Sequence, residues 1–557
     1  MSYLDTPRLH FSGTFTADPS TINNNPSNYP DLTSTTNPPS SQNVIMSWNP
    51  YGSHAWTINA QVTSFVDTSG TTHINGDPLI GASIASYMPG NVPAKLVDLD
   101  TEQQGVTRLF GLNLQIVLSG SSQPSMQGLW MNAGTLVNLW LNRVPSMAGT
   151  DTGAGGAFQS VLQSIQWSGG SPFLNQLQTA AANGLSVRLS VFGYDGNSAS
   201  PTFQSGVVLG TIGPQLANEP LHIPPRLLRP VTQAYGMASP MAWAPAKVTS
   251  PSQASGQTFL TIDLGNSIQD SQPGGPPVSG LTMEAAVLQG GTPVSLGAID
   301  YETAFAQTAS VVQFPITAAQ AGMPLAILLN GQKQLFEPDN GEYVDFDGAS
   351  VYMNPNEQAT VNLWATAFGS PKNAAVNLAL AAPAGAVGFD NNAPAAALTF
   401  PSNVNTGNGG VAPVTFTSTD PVPLPSTRMP IGGQVYFVGG SSWPAGNNWN
   451  GGSSSSGAPI FYPTPFSVKL FTSLPTVPNP TWSDVQPILY KYYYLYGYMA
   501  SIVDLSDYGS VKGMAQAIQS MLTLSVDDPS YMPVTREMSN DETQLVLTWI
   551  ANGCPAT

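Results

Sequence analysis

The stretch LSVRLSVFGYD, residues 185–195, decides which class of fold this sequence adopts. Its hydrophobic and β-branched residues are closely spaced, and the turn residues Gly193 and Asp195 end the run. Such a run followed by turn residues is typical of a β-strand. We therefore expect a strand here, as part of a sheet.

The same pattern recurs along the chain, in TRLFGLNLQIVLSG (107–120), FLTIDLGNSI (259–268) and ATVNLWATAFG (359–369). Short strands punctuated by 54 Gly and 50 Pro predict a mainly β fold, with β-sandwich or barrel-like units and a few inserted helices. We predict four segments along the chain. They are an N-terminal β-rich domain with inserted helices (1–235), a second β-sandwich-like domain (236–430), Gly/Ser/Asn-rich connecting loops (431–480) and a C-terminal helical segment (481–557).

Helical periodicity is confined to a few places. GAFQSVLQSIQW (156–167) carries apolar residues at helical spacing, and FLNQLQTAAANG (173–184) is predicted as its partner helix. Residues 481–553 are predicted to form a small helical bundle that closes the fold. In its last helix, Ser539 and Glu542 match the S-x-x-E capping box.

Composition excludes several classes of function. Only 8% of the 557 residues are charged, the net charge is −17, and Lys and Arg together number 15. Binding to nucleic acid or to anionic lipid needs clustered basic residues, so we expect neither. A weakly charged surface rich in small polar residues suits an assembly-forming protein, and we expect a homo-oligomer.

The N-terminal sequence MSYLDTPRLHFSGTF has neither the basic nor the apolar region of a signal peptide. No run of about 18 apolar residues follows, so we expect no membrane span. We expect a cytoplasmic location, with non-classical export or a surface location as the alternative.

The single cysteine, Cys554, excludes an intrachain disulfide. Polar tracts at 17–43 and 439–459 predict loops.

Two basic clusters are candidate ligand-binding sites. Arg8 and His10 alternate along one predicted strand, so both side chains are expected on the same face; His10 is either a hydrogen-bonded structural residue or part of a site. In HIPPRLLRP (222–230), Arg226 and Arg229 lie beside rigid prolines. This pair either clamps a ligand carboxylate through bidentate hydrogen bonds or holds a domain junction through a buried ion pair.

Two acidic loops, VDLDTEQQG and DNGEYVDFDG, supply several oxygen ligands each, as calcium requires. Neither matches the calcium-loop template of an EF-hand, and solvated turns are the alternative. The candidate calcium ligands are Asp98, Asp100, Glu102, Asp339, Glu342, Asp345 and Asp347.

Four segments together suggest a family. MSYLDTPRLHFSG (1–13), KLVDLDTEQQG (95–105), PPRLLRP (224–230) and DDPSYMPVTREMS (527–539) resemble, in order and separation, segments in the N-terminal part of the chromopyrrolic acid synthase or iminophenyl-pyruvate dimer synthase type proteins. These proteins act in violacein, rebeccamycin and staurosporine biosynthesis. The resemblance spans nearly the whole chain.

The resemblance implies limits as well as chemistry. Members of that family continue into a ferritin-like part with metal-ligand Glu and His motifs, which this sequence lacks. Their association with haem makes haem a second cofactor candidate beside calcium, with His10, or Tyr531 supported by Arg536, as its ligand. No motif specifies either cofactor, because there is no haem-attachment signature and no diagnostic metal pattern.

Two functions compete at this point. The first is a non-catalytic structural, assembly or interaction protein that uses the family scaffold. The alternative is an accessory or oxidative enzyme of aromatic amino-acid-derived secondary metabolism. It would bind a small aromatic carboxylate or imine through Arg226, Arg229 or Arg536. We further expect Arg536 and Glu537 to form a buried junction between the β-rich body and the last helix.

Overall fold

The computed structural model of the chain gives the fold and most side-chain positions. Asp100, Glu102 and almost all of the tracts 17–43 and 439–459 lie outside the described residues. The structure describes residues 2–18, 52–86, 92–98, 107–131, 133–137, 155–197, 199–230, 243–249, 257–265, 267, 276–348, 350–380, 395–422, 433–440, 466–495 and 497–557.

The first sheet contains twelve strands. They are β1 (Arg8–Ala17), β2 (Ala55–Val66), β3 (Thr72–His73), β4 (Ser83–Ala85), β5 (Ala94–Asp98), β6 (Thr107–Phe110), β7 (Asn113–Val117), β8 (Met126–Trp130), β9 (Ala133–Val137), β10 (Gly155–Trp167), β11 (Leu185–Phe192) and β12 (Ser205–Pro214).

This sheet closes on itself. Eight strands pair antiparallel in the order β1, β12, β11, β10, β8, β7, β4 and β2, and β2 pairs again with β1. A second path runs from β2 through β5, β6 and β9 to β10. Closure leaves no open edge in the ring of eight strands, since each of them has two partners.

Apolar side chains fill the inside of the ring. Phe11 and Phe15 alternate on β1, and the Phe15 ring lies 6.2 Å from that of Trp56 on β2. Gly210 on β12 makes room for Phe11, because a Cβ atom at this position would lie 2.0 Å from the Phe11 ring. Aromatic side chains from neighbouring strands therefore share one core inside the ring.

One predicted helix is present and the other is wrong. Helix α1 (Pro172–Ala180) overlaps the predicted helix at 173–184 and begins one residue before it, with Ser171 as its N-cap. The helix buries Phe173, Leu174 and Leu177 against the ring. Residues 156–167, predicted as a helix, belong to strand β10. Both faces of β10 are buried over 156–162, so its apolar residues do not alternate with polar ones. An irregularity in the pairing with β8 between Gln163 and Gln166 also shifts which residues face the same side of the sheet.

The second sheet has eight antiparallel strands, in the order β17, β16, β19, β20, β13, β14, β15 and β18. Two short helices, α2 (Tyr301–Thr308) and α3 (Ala318–Ala321), belong to the same part of the chain. The strands are β13 (Arg226–Pro230), β14 (Ala244–Thr249), β15 (Thr258–Asp263), β16 (Met283–Gln289), β17 (Thr292–Ile299), β18 (Val311–Ile316), β19 (Leu325–Leu329) and β20 (Gln332–Phe336).

Two five-stranded sheets share one core and form a sandwich. β29 and β30 of this sandwich lie within 431–480, where connecting loops are predicted; their β-branched and aromatic residues flank the Gly/Ser tract. The strands are β21 (Glu342–Phe346), β22 (Ser350–Met353), β23 (Gln358–Ala367), β24 (Ser370–Pro371), β25 (Ala375–Leu380), β26 (Leu398–Thr399), β27 (Asn403–Asn405), β28 (Val411–Ser418), β29 (Gln434–Gly440) and β30 (Phe466–Leu470).

The chain ends in a small group of helices around one core, as predicted. The capping box of Ser539 and Glu542 begins the last helix, with Ser539 Oγ accepting from the Glu542 amide at 3.1 Å. The helices are α4 (Trp482–Leu495), α5 (Tyr508–Gly513), α6 (Ala515–Leu522) and α7 (Asn540–Ala551), with single 3-10 turns at Ala395–Ala397 and Gly497–Ser501.

The mainly β fold class is therefore confirmed, including the C-terminal helical group. The domain limits at 235, 430 and 480 remain predictions, since strand pairing alone does not define domains. Within the described parts of the chain, no helix is both long and apolar enough to cross a membrane.

Candidate functional site

A cavity of about 310 Å³ lies between the C-terminal helices and the first sheet. Its lining is almost wholly apolar, and five methionines contribute to it; we call it the methionine cavity. These methionines are Met499, Met514, Met521, Met532 and Met538. Methionine is flexible and polarizable, so such a wall adapts its shape to an apolar ligand.

Helix α6 supplies one wall through its periodicity. Met514, Ala517, Ile518, Met521 and Leu522 all line the cavity, at positions i, i+3, i+4, i+7 and i+8. This spacing places them on one stripe of the helix. The stripe packs only partly against neighbouring helices, and the remainder of its surface forms the wall.

A second wall comes from the segment after α6, through Met532, Pro533, Val534 and Met538. Arg536 holds this segment in place. Its guanidinium donates to the carbonyl oxygens of Val526 (3.0 Å), Asp528 (2.7 Å) and Val534. The segment that carries the family resemblance therefore serves as a wall of the cavity.

The polar groups of the cavity come from the N-terminal sheet. Ser53, His54 and Lys95 line it, and Lys95 Nζ donates to the carbonyl oxygen of Ser53 at 2.9 Å. The Ser53 hydroxyl and amide both donate to Asp18 Oδ2, at 2.7 and 2.8 Å. His54 Nδ1 donates to the carbonyl oxygen of Leu96 at 3.3 Å, which fixes the orientation of the imidazole.

Burial changes the protonation of these groups. It lowers the pKa of Lys95 below its ordinary value, and the nearby positive charge of Arg536 lowers it further, whereas Asp18 opposes the change. Burial, together with the charge of Lys95, lowers the pKa of His54 to about 4. At neutral pH His54 is therefore uncharged, and the charge at this end of the cavity depends on Lys95.

The cavity is open at the helical side. Tyr498 and Ile502 both line it, and they are 41% and 51% exposed. Two large hydrophobic side chains at the surface, above an apolar cavity, form a rim that a ligand could contact as it enters. The arrangement suits a ligand with an apolar body and one polar end directed at Lys95.

Arg8 and His10 do not line the methionine cavity, and both lie in the protein interior. Both side chains are buried, and Arg8 Nε donates to His10 Nε2 at 3.4 Å, so they share one face as expected. Arg8 also donates to Gln313 Oε1 on β18 (3.1 Å), and His10 Nδ1 donates to Thr211 Oγ1 (3.0 Å). The hydrogen bond between Arg8 and Gln313 joins the first sheet to the second.

His10 does not fit the role of a haem ligand. Both of its ring nitrogens have hydrogen-bond partners within the protein, and its side chain is fully buried. Tyr531, the alternative ligand, is also buried and does not line the methionine cavity. Its ring lies 5.7 Å from the guanidinium of Arg536.

Arg226 forms a buried ion pair, which is one of the two roles predicted for it from the sequence. Its Nε and Nη2 donate to the two carboxylate oxygens of Glu337, at 2.9 and 2.5 Å, and both residues are buried. Its guanidinium also donates to the carbonyl oxygens of Ala321 and Met323. Arg229, half-buried, lies over the Phe336 ring at 5.0 Å, and burial lowers its pKa.

The acidic residues of DNGEYVDFDG separate into different structural roles. Glu342 forms an ion pair with Lys372, and Asp339 is exposed. Asp345 accepts from the Tyr343 hydroxyl at 2.9 Å, and Asp347 accepts from the amides of Leu221 and His222. In the described part of the chain, no three His, Cys, Asp or Glu side chains gather as a metal site would require.

In the second acidic loop, Asp98 ends strand β5, and the positions of Asp100 and Glu102 lie outside the described residues. The calcium hypothesis for this loop therefore remains a prediction.

Arg536 is buried as expected, but its described hydrogen bonds do not include the predicted contact with Glu537. Arg536 is 2% exposed, and its described hydrogen bonds go to backbone carbonyls instead of the Glu537 carboxylate. A guanidinium has five N–H donors in one plane and can bind several acceptors at once. Arg536 can therefore donate to all three carbonyl oxygens.

Sequence reasoning missed Ser53, His54 and Lys95 as site residues. They are more than 380 positions away from the helices that complete the cavity, and no local motif marks them. One signal was available: five of the 17 methionines fall between residues 499 and 538. Such a density in one segment is typical of an adaptable apolar surface.

No family model matches the chain, and a search of curated proteins found no match either. The resemblance to the chromopyrrolic acid synthase type therefore remains a hypothesis.

Proposed function

We propose that the protein binds a small aromatic carboxylic acid in the methionine cavity, with the carboxylate beside Lys95. The observation that carries this proposal is that Lys95, whose amino group is fixed by the Ser53 carbonyl oxygen, lines a cavity that is otherwise almost wholly apolar. The proposed role is binding, without catalysis by the protein.

The size and lining of the cavity favour an aromatic body. Its volume of about 310 Å³ is near the lower end of the roughly 300–1,000 Å³ that ligand pockets span. This suits a ligand of one or two rings. Thioether sulfur atoms make favourable contacts with aromatic rings, and Tyr492 and Tyr498 add ring surfaces to the lining.

The electrostatics favour an acid over a base. Lys95 and Arg536 both place positive charge near this end of the cavity, and each lowers the pKa of a neighbouring cation. A carboxylate beside Lys95 would stabilise its ammonium form and form a charge-assisted hydrogen bond. A cationic ligand would meet repulsion instead.

The proposal is tested by isothermal titration calorimetry with 2-naphthoate and its neutral analogue 2-naphthamide. We expect naphthoate to bind at least about tenfold more tightly than naphthamide, and Lys95→Met to remove that preference. Lys333→Met, at an exposed position on β20, is the matched control and should bind as the unaltered protein does. Equal binding of acid and amide, or binding of neither, would overturn the proposal.

The assembly role remains a second hypothesis. The low content of charged residues, 8%, favours it. Pro293 lies on the outermost strand β17 of the second sheet, and proline on such a strand disfavours strand-to-strand association. Light scattering on the purified chain tests it: large particles would support assembly, and a monomer at all concentrations would contradict it.

A further inference from the structure

We propose that Lys95 is a reactive amine that forms a reversible imine with an aromatic aldehyde held in the methionine cavity. This inference rests on the proposed binding site, but it adds a covalent step and a second class of ligand. Lys95 has no part in the fold's ion pairs among the described residues, so its amino group is available for chemistry.

The geometry around Nζ suits a nucleophile. Lys95 lies on strand β5 and lines the apolar cavity, and the Ser53 carbonyl oxygen, 2.9 Å away, accepts a hydrogen bond from its amino group. That hydrogen bond holds the amine in place at the wall. A neutral amine held there has a lone pair that can attack the carbonyl carbon of the aldehyde. The aromatic ring of the aldehyde, packed among the methionines, would hold that carbon close to Nζ.

The surroundings favour the neutral amine that the reaction needs. Desolvation of a lysine and the proximity of a second cation are the two ways in which proteins activate a lysine nucleophile. Both are present here: burial and the charge of Arg536 lower the pKa of Lys95, while Asp18 alone opposes them. His54, uncharged at neutral pH, adds no positive or negative charge.

The proposed step is balanced without an oxidant or reductant. Nζ adds to the carbonyl carbon, the carbonyl π electrons move to oxygen, and two protons pass from nitrogen to that oxygen. The oxygen then leaves as water, and a C=N bond remains. Hydrolysis by the reverse path releases the aldehyde, so the adduct is reversible.

The same pocket would then respond differently to two ligand classes. An aromatic acid suppresses imine formation in two ways: it stabilises the unreactive ammonium form of Lys95, and it occupies the cavity that the aldehyde needs. A neutral aromatic amide only fills the cavity. Acid should therefore protect Lys95 from the aldehyde more strongly than amide does when both occupy the cavity equally.

The test uses 2-naphthaldehyde with cyanoborohydride, which reduces an imine to a stable secondary amine, followed by peptide mass mapping. The chain has seven lysines, and the exposed Lys333 and Lys512 serve as internal controls. We expect Lys95 to be labelled at least about tenfold faster than either at pH 7. Naphthoate should prevent this labelling.

Equal labelling of Lys95, Lys333 and Lys512 would overturn the inference and leave the proposed acid binding intact, because calorimetry measures that separately. Conversely, selective labelling of Lys95 without naphthoate binding would overturn the proposed function alone. Lys95→Arg keeps the charge and cannot form the imine, so it should lose the label while it retains affinity for naphthoate. Circular dichroism of each variant verifies that the fold is unchanged.

Discussion

The guanidinium carbon of Arg536 lies 4.2 Å from the centre of the Phe110 ring. This contact joins the segment before the last helix to strand β6 of the first sheet, across more than 420 residues of sequence. Tyr352 adds to the junction, since its hydroxyl donates to the Thr535 carbonyl oxygen at 3.1 Å. These two contacts therefore connect the segment that supplies one wall of the methionine cavity to the β-rich body.

Replacement of Arg536 by alanine should destabilise the fold by about 3 kcal/mol, because three carbonyl oxygens lose their donor and the cation–π contact is lost. Urea unfolding measures the change, and Lys512→Ala at an exposed position is the control. Unchanged unfolding together with lost ligand binding would contradict this structural role and identify Arg536 as a binding residue.

Asp345 should make stability depend on pH. Burial raises its pKa from 3.8 to about 7. Between these values the folded protein holds a proton that the unfolded chain has released, so stability falls as the pH rises through this window. Relative to Asp345→Asn, which resembles the protonated acid, the unaltered protein should lose on the order of 3 kcal/mol between pH 4 and pH 8.

Thermal and urea unfolding across this pH range measure the effect of Asp345. Asp339→Asn, at an exposed position near the same strand, is the matched control and should follow the unaltered protein. Parallel pH profiles for the unaltered protein and Asp345→Asn would show that the carboxylate is ionised in the folded state at all these pH values.

The ion pair of Arg226 and Glu337 should show strong coupling in a double-mutant cycle. Arg226→Met leaves the Glu337 carboxylate buried without its cation, which should cost about 3–5 kcal/mol. Glu337→Gln alone should cost a similar amount, and the double variant less than the sum of the two. Additive effects in urea unfolding would mean that the two side chains do not stabilise each other.

The strands were more predictable than their arrangement. Residues 185–195 indicate a strand from local pattern alone, and β11 occupies Leu185–Phe192. Closure of the first sheet depends on pairing between β1 and β12, some 200 residues apart, which no local pattern encodes. The error at β10 has a related cause, because a strand buried on both faces loses the alternation that identifies strands.

The candidate site was the least predictable part. Of the predicted basic residues, Arg8, His10 and Arg226 direct their hydrogen bonds to other groups within the protein, and Arg229 packs over the Phe336 ring. Lys95 was not singled out, because its chemistry arises only when distant helices exclude water around it. A lysine acquires a lowered pKa from burial, and burial by distant segments is a tertiary property.

Access to the cavity should depend on Ala517, which is exposed and also lines the cavity on the stripe of α6. Ala517→Trp should obstruct the opening and weaken naphthoate binding at least about tenfold, with little change in unfolding, because the indole extends from the helix surface rather than into the core. Gln516→Trp, on the neighbouring exposed position outside the lining, is the matched control. Unchanged calorimetry for Ala517→Trp would show that the ligand enters elsewhere, and equal losses for both variants would show a general effect on α6.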